Sequence, residues 1–277
     1  ALYQQARWMT LENGMDVIVI ENHRARAVHA RVAYKVGALD EQPGTYGIAH
    51  VLEHMMFRGA PPLNGKGLAP GEYDATLDRI GADSNASTSA NLTSYYAWFG
   101  SEHLETFLIL NAILMNGLDA DADQLDNEKG VVLQEYRQRW ENNPAARAAH
   151  FLRADLRGVA AYDHPIIGTK EDFEALTPAD LLDFHQTWYH PNNAVLIVAG
   201  DVVPEEVFAL AEQHFGGFAA VPVPARVRPD AERPFEADFE TVTDALITQP
   251  SARRAWRLPE VVAETGVEAF RARYAAR

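Results

Sequence analysis

The chain has no cysteine among its 277 residues. Disulfide bonds, thiol nucleophiles and Cys-containing metal sites are therefore excluded, and a metal ion would have to be bound by His, Asp and Glu side chains. The sequence also lacks an apolar run near the ~18 residues that a membrane-spanning helix needs. The apolar run from Ala194 to Ala199 has the length of a buried strand.

Positive charge is scarce, with 24 Lys and Arg against 39 Asp and Glu, so the formal net charge is -15. This balance argues against a nucleic-acid-binding surface and is compatible with neutral or cationic partners. Hydrophobic residues make up 47% of the chain and charged residues 23%, as in folded globular proteins. The length is enough for one large domain or two ordinary ones.

The stretch from Gly47 to Gly59 predicts a short, mostly buried helix that carries two histidines and a glutamate. Each helical residue turns by about 100°, so His50, Glu53 and His54 share roughly a third of the circumference. His50 and His54, four residues apart, can bind the same ion. This order, His-x-x-Glu-His, is the inverzincin signature. By itself it also fits a buried helix with one structural histidine and a surface His-Glu pair.

The residue types indicate zinc chemistry. A catalytic zinc ion takes three protein ligands and a water, whose pKa it lowers to about 7. Glu53, beside a candidate ligand, can take and return the proton of that water. A third ligand has to come from elsewhere. Glu128 and Glu135 lie two turns apart on a helix predicted over residues 121–141, with a capping box at Asp121. Without the histidine helix, the expected interpretation of this pair would be two solvated glutamates.

Periodicity and turn signals predict the remaining elements. Residues 3–11 and 15–21 are expected to form a hairpin around Asn13-Gly14, and residues 60–71 a loop. The small, polar stretch 82–90 predicts an edge strand, which either pairs with a peptide or is simply exposed. The other expected strands are 28–36, 92–99 and 193–200, and the other expected helices are 72–80, 102–115 (amphipathic), 145–157, 178–189 and 204–215.

The motifs together resemble the M16 peptidases, the family of pitrilysin, insulin-degrading enzyme and the mitochondrial processing peptidase. The resemblance covers residues 8–217. Beyond the histidine helix it includes the strand at Asn85-Ala86, the run from Asn127 to Glu135, the tripeptide Ile167-Gly168-Thr169 and the segment 176–201. Several matching motifs are far more specific than the five-residue signature, and the chain is most similar to small bacterial members.

The resemblance implies a role for each matching residue. His50, His54 and Glu135 match the family's zinc ligands, one ion per chain, and Glu53 matches the general base. Glu128 matches an acidic residue that orients a ligand imidazole. The sequence distance from His54 to Glu135 is slightly long, which leaves Glu128 as an alternative ligand.

The remaining matches concern the substrate. Asn85 and Ala86 match residues lining the cleft in which a peptide adds as a strand, and Phe57 is a further substrate-binding candidate. The net charge and the lack of a long apolar run predict no nucleic-acid partner and no membrane span.

The implied fold is α+β, an antiparallel-rich mixed sheet with helices on one face, forming one half of a two-half clam-shell. We expect a catalytic domain over 1–218, a Pro-rich linker over 219–235 and the beginning of a second M16-like domain over 236–277. The missing half would come from more of the same chain, from a homo-oligomer or from a partner subunit. The family's Arg and Tyr of that half find no match here.

The expected function is zinc-dependent hydrolysis of peptides bound in extended form. The alternative is an M16-like scaffold or peptide-binding subunit without catalysis, which the intact motif disfavours. The remaining histidines, including His185 and His190, are expected to be structural. An Ala start without Met fits a processed periplasmic protein, with a cytoplasmic location as the alternative.

Overall fold

The computed structural model describes residues 6–157, 163–226, 241, 243–250 and 252–254. Its centre is a six-stranded mixed sheet with the strand order β1-β2-β8-β3-β7-β6. Only the β2–β8 pair is parallel, and the other neighbours are antiparallel. The antiparallel-rich mixed sheet expected from the sequence is therefore confirmed.

The elements follow the sequence periods closely. Their bounds are β1 Ala6–Thr10, β2 Asp16–Glu21, β3 Ala27–Tyr34, α1 Ile48–Met55, β4 Ala60–Leu63, β5 Lys66–Leu68, α2 Glu72–Arg79, β6 Asp83–Thr88, β7 Thr93–Gly100, α3 Leu104–Asn116, α4 Ala122–Tyr136, α5 Pro144–Arg157, α6 Lys170–Ala175, α7 Pro178–Trp188, β8 Ala194–Gly200 and α8 Pro204–Phe215.

One face of the sheet packs against helices and forms the core. Along β2 the buried side chains alternate with half-exposed ones, as a strand covered on one face requires. Helices α3 and α8 contact the strands and each other, while α1 lies against β6 and α4. The opposite face leaves two large aromatic side chains, Trp8 and Trp98, exposed among the described residues.

The prediction of a loop over residues 60–71 is wrong, because strands β4 and β5 form a small hairpin there. Asn64 and Gly65 have φ angles of 51° and 83° at its turn, the left-handed conformations that suit Asn-Gly hairpin turns. No strand was predicted here because of Pro61 and Pro62. Proline has no backbone N–H, so it occurs in strands only at positions where no N–H is needed for pairing.

Three further expectations need correction. Helix α3 is not amphipathic, because it lies between the sheet and α8 and is buried on most sides. At the start of α4, Asp121 Oδ1 accepts a hydrogen bond from Gln124 N at 2.9 Å, but Gln124 Oε1 is unpartnered within the described residues, so half of the capping box is missing. The helix predicted over 121–141 is α-helical only to Tyr136, and the chain then forms a π-helical turn, Arg137–Glu141.

Helix α6 was not predicted; Thr169 caps it. The expected linker is described only to residue 226, and most of the expected second domain lies outside the described residues. Within the described residues, no helix has both the length and the hydropathy to cross a bilayer.

Candidate metal centre

The residue before the histidine helix α1, its N-cap Gly47, has φ +97° and no side chain to cap the helix. Glu41 supplies the cap from six residues upstream: its Oε2 accepts from Gly47 N at 2.8 Å and its Oε1 from Ala49 N at 3.0 Å. A carboxylate at a helix N-terminus satisfies N–H groups that lack helical partners. Burial raises the pKa of Glu41 to about 8, against the opposing effect of these two N–H groups.

Backbone packing fixes the same end of α1. A Cβ atom on Gly47 would lie 2.6 Å from Ile167 O, and one on Gly168 would lie 2.2 Å from Tyr46 O. Both positions therefore require glycine, because two backbone segments touch there. This contact gives a physical reason for the tripeptide Ile167-Gly168-Thr169 noted in the sequence.

Helices α1 and α4 bring three candidate ligand side chains together. Glu135 Oε2 lies 3.6 Å from His50 Nε2 and 3.6 Å from His54 Nε2. The two imidazole rings have centroids 4.8 Å apart. One ligand atom from each of His50, His54 and Glu135 lies within 4.8 Å of the others, and the described residues contain no second cluster of this kind.

The donor set fits a catalytic zinc ion, for which two imidazole nitrogens and one carboxylate oxygen are a common combination. His50 Nδ1 is buried and has no hydrogen-bond partner among the described residues. Glu128, the alternative ligand, lies on the other side of His54, with its Oε2 3.3 Å from Nδ1. Glu135 is therefore the carboxylate that faces both Nε2 atoms.

The two histidines differ in how they bind protons. Burial, with the neighbouring His54, lowers the pKa of His50 to about 4. Burial also lowers the pKa of His54, but the Glu128 and Glu135 carboxylates outweigh it and raise that pKa to about 9. The contact with His54 lowers the pKa of Glu135 in return. The carboxylates of α4 thus favour a positive charge on His54, whereas burial disfavours one on His50.

Glu53 lies on the same helix but contacts the sheet. Its Oε2 accepts a short hydrogen bond from Thr88 Oγ1 on the edge strand β6. Burial raises the pKa of Glu53, and the Thr88 hydroxyl opposes that change. Thr88 was not identified from the sequence, because no local pattern links residue 53 to residue 88.

Two arginines complete the surroundings and were also missed. Arg139 Nη1 lies 2.7 Å from Glu135 Oε1, and Arg58 Nε lies 2.7 Å from Glu128 Oε1. Arg139 follows Glu135 by four residues, and Arg58 follows His54 by four. The i, i+4 rule could have placed both beside the site.

Of the substrate-binding candidates, Asn85 and Ala86 lie on the edge strand β6, and Phe57 lies just after α1. Among the described strands, β6 pairs only with β7, which leaves its other edge open. Asn85 is exposed there and Ala86 half-buried. Phe57 is half-buried against Tyr73 and Tyr95, with ring centroids 5.2 Å and 5.9 Å away.

Two family profiles match the sequence. The profile of insulinase (peptidase family M16) matches residues 16–170, more than half of the chain. The chain belongs to peptidase family M16. The profile described as the peptidase M16 inactive domain matches residues 175–271. The resemblance drawn from the sequence motifs is confirmed.

Among relatives, the zinc protease PqqE of Helicobacter pylori is 34% identical over 231 residues, covering 80% of this chain and 50% of that protein. The probable zinc protease PqqL of Escherichia coli is 30% identical over 230 residues, covering 79% and 24%. The chain thus spans about half the length, or less, of these curated relatives.

Solved structures of family members share the fold. The crystal structure of a protease from Helicobacter pylori has a TM-score of 0.72 and 32% identity, covering 81% of this chain and 53% of that one. The first half of the periplasmic protease PqqL from Escherichia coli has a TM-score of 0.73 and 25% identity, covering 85% and 50%. This M16 chain therefore has the fold of a family half-domain.

Proposed function

We propose that this M16 chain carries the zinc site of an endopeptidase that hydrolyses peptides bound in extended form. The observation that supports the proposal most is the convergence of His50 Nε2, His54 Nε2 and Glu135 Oε2 beside a buried glutamate. One Zn²⁺ per chain is the expected cofactor. When bound, zinc would lower the pKa of a water molecule and polarise the scissile carbonyl.

Glu53 is the proposed general base. It takes a proton from the attacking water and later delivers it to the leaving amine, so that one water is consumed for each peptide bond cleaved. A pKa raised by burial suits a group that must take up and return a proton, because it moves the pKa towards neutral pH. The Thr88 hydroxyl fixes the carboxylate beside β6.

The open edge of β6 is the proposed substrate surface. A peptide in extended form can pair with its free N–H and C=O groups, and small side chains such as Ala86 allow a close approach. Thr88 belongs to this strand and donates a hydrogen bond to Glu53, so the proposed substrate edge and the proposed base are in direct contact. Asn85 and Phe57 are further candidates for substrate contact.

The partner is proposed to be a second M16-like half that closes the chamber. It could belong to a longer form of this chain, a homo-oligomer or a partner subunit. The match of residues 175–271 to the M16 inactive domain supports a further family domain after the catalytic one. Similarity to the periplasmic protease PqqL supports a periplasmic location.

Elemental analysis and peptide hydrolysis test the proposal together. We expect about one zinc per chain, lost in a His50→Ala variant, and cleavage of a mixed peptide library. Glu53→Gln should keep zinc and lose at least about 10²-fold in turnover, because only the base is removed. Turnover unchanged in Glu53→Gln would remove Glu53 from the mechanism.

The same measurements separate the scaffold alternative. No zinc in the purified chain, and none taken up on addition, would contradict the metallopeptidase and leave an M16-like binding subunit. Zinc without hydrolysis, followed by hydrolysis when the second half is supplied, would support a site that needs its partner.

A further inference from the structure

The buried carboxylate of Glu128 contacts two side chains, those of His54 in α1 and Arg58 just after α1. Its Oε2 lies 3.3 Å from His54 Nδ1, and its Oε1 lies 2.7 Å from Arg58 Nε. His54 and Arg58 are four residues apart, so they point from the same side of the chain towards α4. Only 6% of the Glu128 side chain is exposed to solvent.

Arg58 itself is held by the end of α1. Its backbone N–H donates to Met55 O at 2.9 Å, so the chain is still turning three residues after the end of α1. The side chain is 39% exposed, and its contact with Glu128 is an ion pair rather than a well-aligned hydrogen bond. Its charge also acts on Asp74 of α2, so it faces two carboxylates.

We propose that Arg58 is a positioning residue for metal binding, which acts by fixing Glu128 so that Glu128 orients the His54 imidazole. This inference rests on the proposed zinc site. An ionised Glu128 that accepts from Nδ1–H leaves the lone pair of Nε2 directed at His50 and Glu135. Arg58 restrains the rotation of that carboxylate, because its Nε lies 2.7 Å from Oε1.

Loss of Arg58 would leave a buried carboxylate without its cation. Such a group is free to turn towards solvent, and this movement weakens its contact with His54. Loss of an outer partner of a ligand histidine costs about 10- to 100-fold in metal affinity. A purely structural ion pair would lower stability and leave the metal affinity as it is.

The test compares Arg58→Met with Arg58→Lys in the full chain. Zinc dissociation constants are measured by competition with a chromophoric chelator, and the absorption spectrum of bound Co²⁺ reports the ligand geometry. We expect Arg58→Met to weaken zinc binding about 10-fold or more and to change the cobalt spectrum. Arg58→Lys, which keeps the charge but loses the planar fork, should recover part of the affinity.

Two further variants make the outcome specific. Arg79→Met, on α2, removes an arginine whose side-chain hydrogen bonds to described residues go to Ala75 and Thr76, so zinc affinity should stay unchanged. In the double variant Arg58→Met with Glu128→Gln, the loss should be about that of Glu128→Gln alone, because Arg58 acts through Glu128.

Each failure has a distinct meaning. If the unmodified chain binds no zinc, the proposed function fails. If it binds zinc and Arg58→Met binds equally well with an unchanged cobalt spectrum, only the role of Arg58 is overturned. Additive losses in the double variant would likewise contradict action through Glu128.

Discussion

At the scale of single residues, the two glutamates of α4 have opposite surroundings. Glu135 Oε2 faces the Nε2 atoms of both histidines, whereas Glu128 faces Nδ1 of His54 and the side chain of Arg58. A metal ligand and an orienting carboxylate are expected to differ in this way. Sequence spacing left both as candidates, since residues seven apart share one helix face.

This difference predicts unequal effects on zinc affinity. Glu135→Gln should weaken zinc binding more than Glu128→Gln, because it replaces a charged ligand, while the Glu128 variant loses an outer contact worth about 10- to 100-fold. Chelator competition on both variants measures the order. The reverse order would exchange their roles.

The buried histidine His185 gives a prediction for acid stability. Its Nε2–H donates to Leu114 O at 2.9 Å, and burial lowers its pKa to about 4 from an unfolded value of 6.5. Above pH 6.5 both states are neutral. Between pH 6.5 and 4 only the unfolded chain takes the proton, so stability falls by about 1.4 kcal/mol per pH unit, on the order of 3 kcal/mol in total.

Urea unfolding from pH 4 to pH 8 measures this effect. His185→Gln is the matched control, because its amide can still donate to Leu114 O but does not titrate. The free energy of unfolding should fall less steeply on acidification in the variant than in the unmodified chain. Parallel pH profiles would contradict a neutral His185 in the folded state.

At the scale of elements, α1 depends on residues far from it in sequence. Its N-cap residue, Gly47, is fixed by backbone contact with Ile167 and Gly168 and has no side chain to supply a cap. Glu41 therefore holds the helix end on which His50 lies. Sequence reasoning found the helix and missed this support, because Glu41 lies in a loop without periodicity.

Removing this cap should destabilise the helix. Glu41→Ala leaves two buried N–H groups unsatisfied, at about 1–3 kcal/mol each. Glu41→Gln, neutral like a protonated glutamate, keeps one acceptor and should lose less. Urea unfolding gives the free energies, and hydrogen exchange at Ala49 localises the change to α1. Equal stability of Glu41→Ala and the unmodified chain would contradict the capping role.

Other elements show what limits sequence reasoning. Helix α8 has the predicted bounds, because its apolar period and Pro204 are local signals. Helix α3 was recognised as a helix but not as a buried one, since burial depends on α8 and the sheet. The β4–β5 hairpin was missed although Asn64-Gly65 is a strong turn signal, because two prolines argued against a strand.

At the scale of the whole molecule, the chain covers about half or less of the length of its relatives, and its residues 175–271 match a second family profile. Its sheet leaves the edge of β6 open among the described strands. Both features are consistent with a half that works together with another.

The sequence by itself determined the family, the type of sheet and the identity of the candidate ligands, because these depend on residue type, period and short spacing. Only the tertiary structure decided which glutamate faces the histidines and which arginines contact the carboxylates. It also decided that Glu41 caps α1 and that Thr88 donates a hydrogen bond to Glu53. Those contacts join residues up to 85 positions apart, as between His50 Nε2 and Glu135 Oε2, and their geometry follows from packing. Periodicity fixes which face of an element a side chain occupies, and only packing fixes what that face meets.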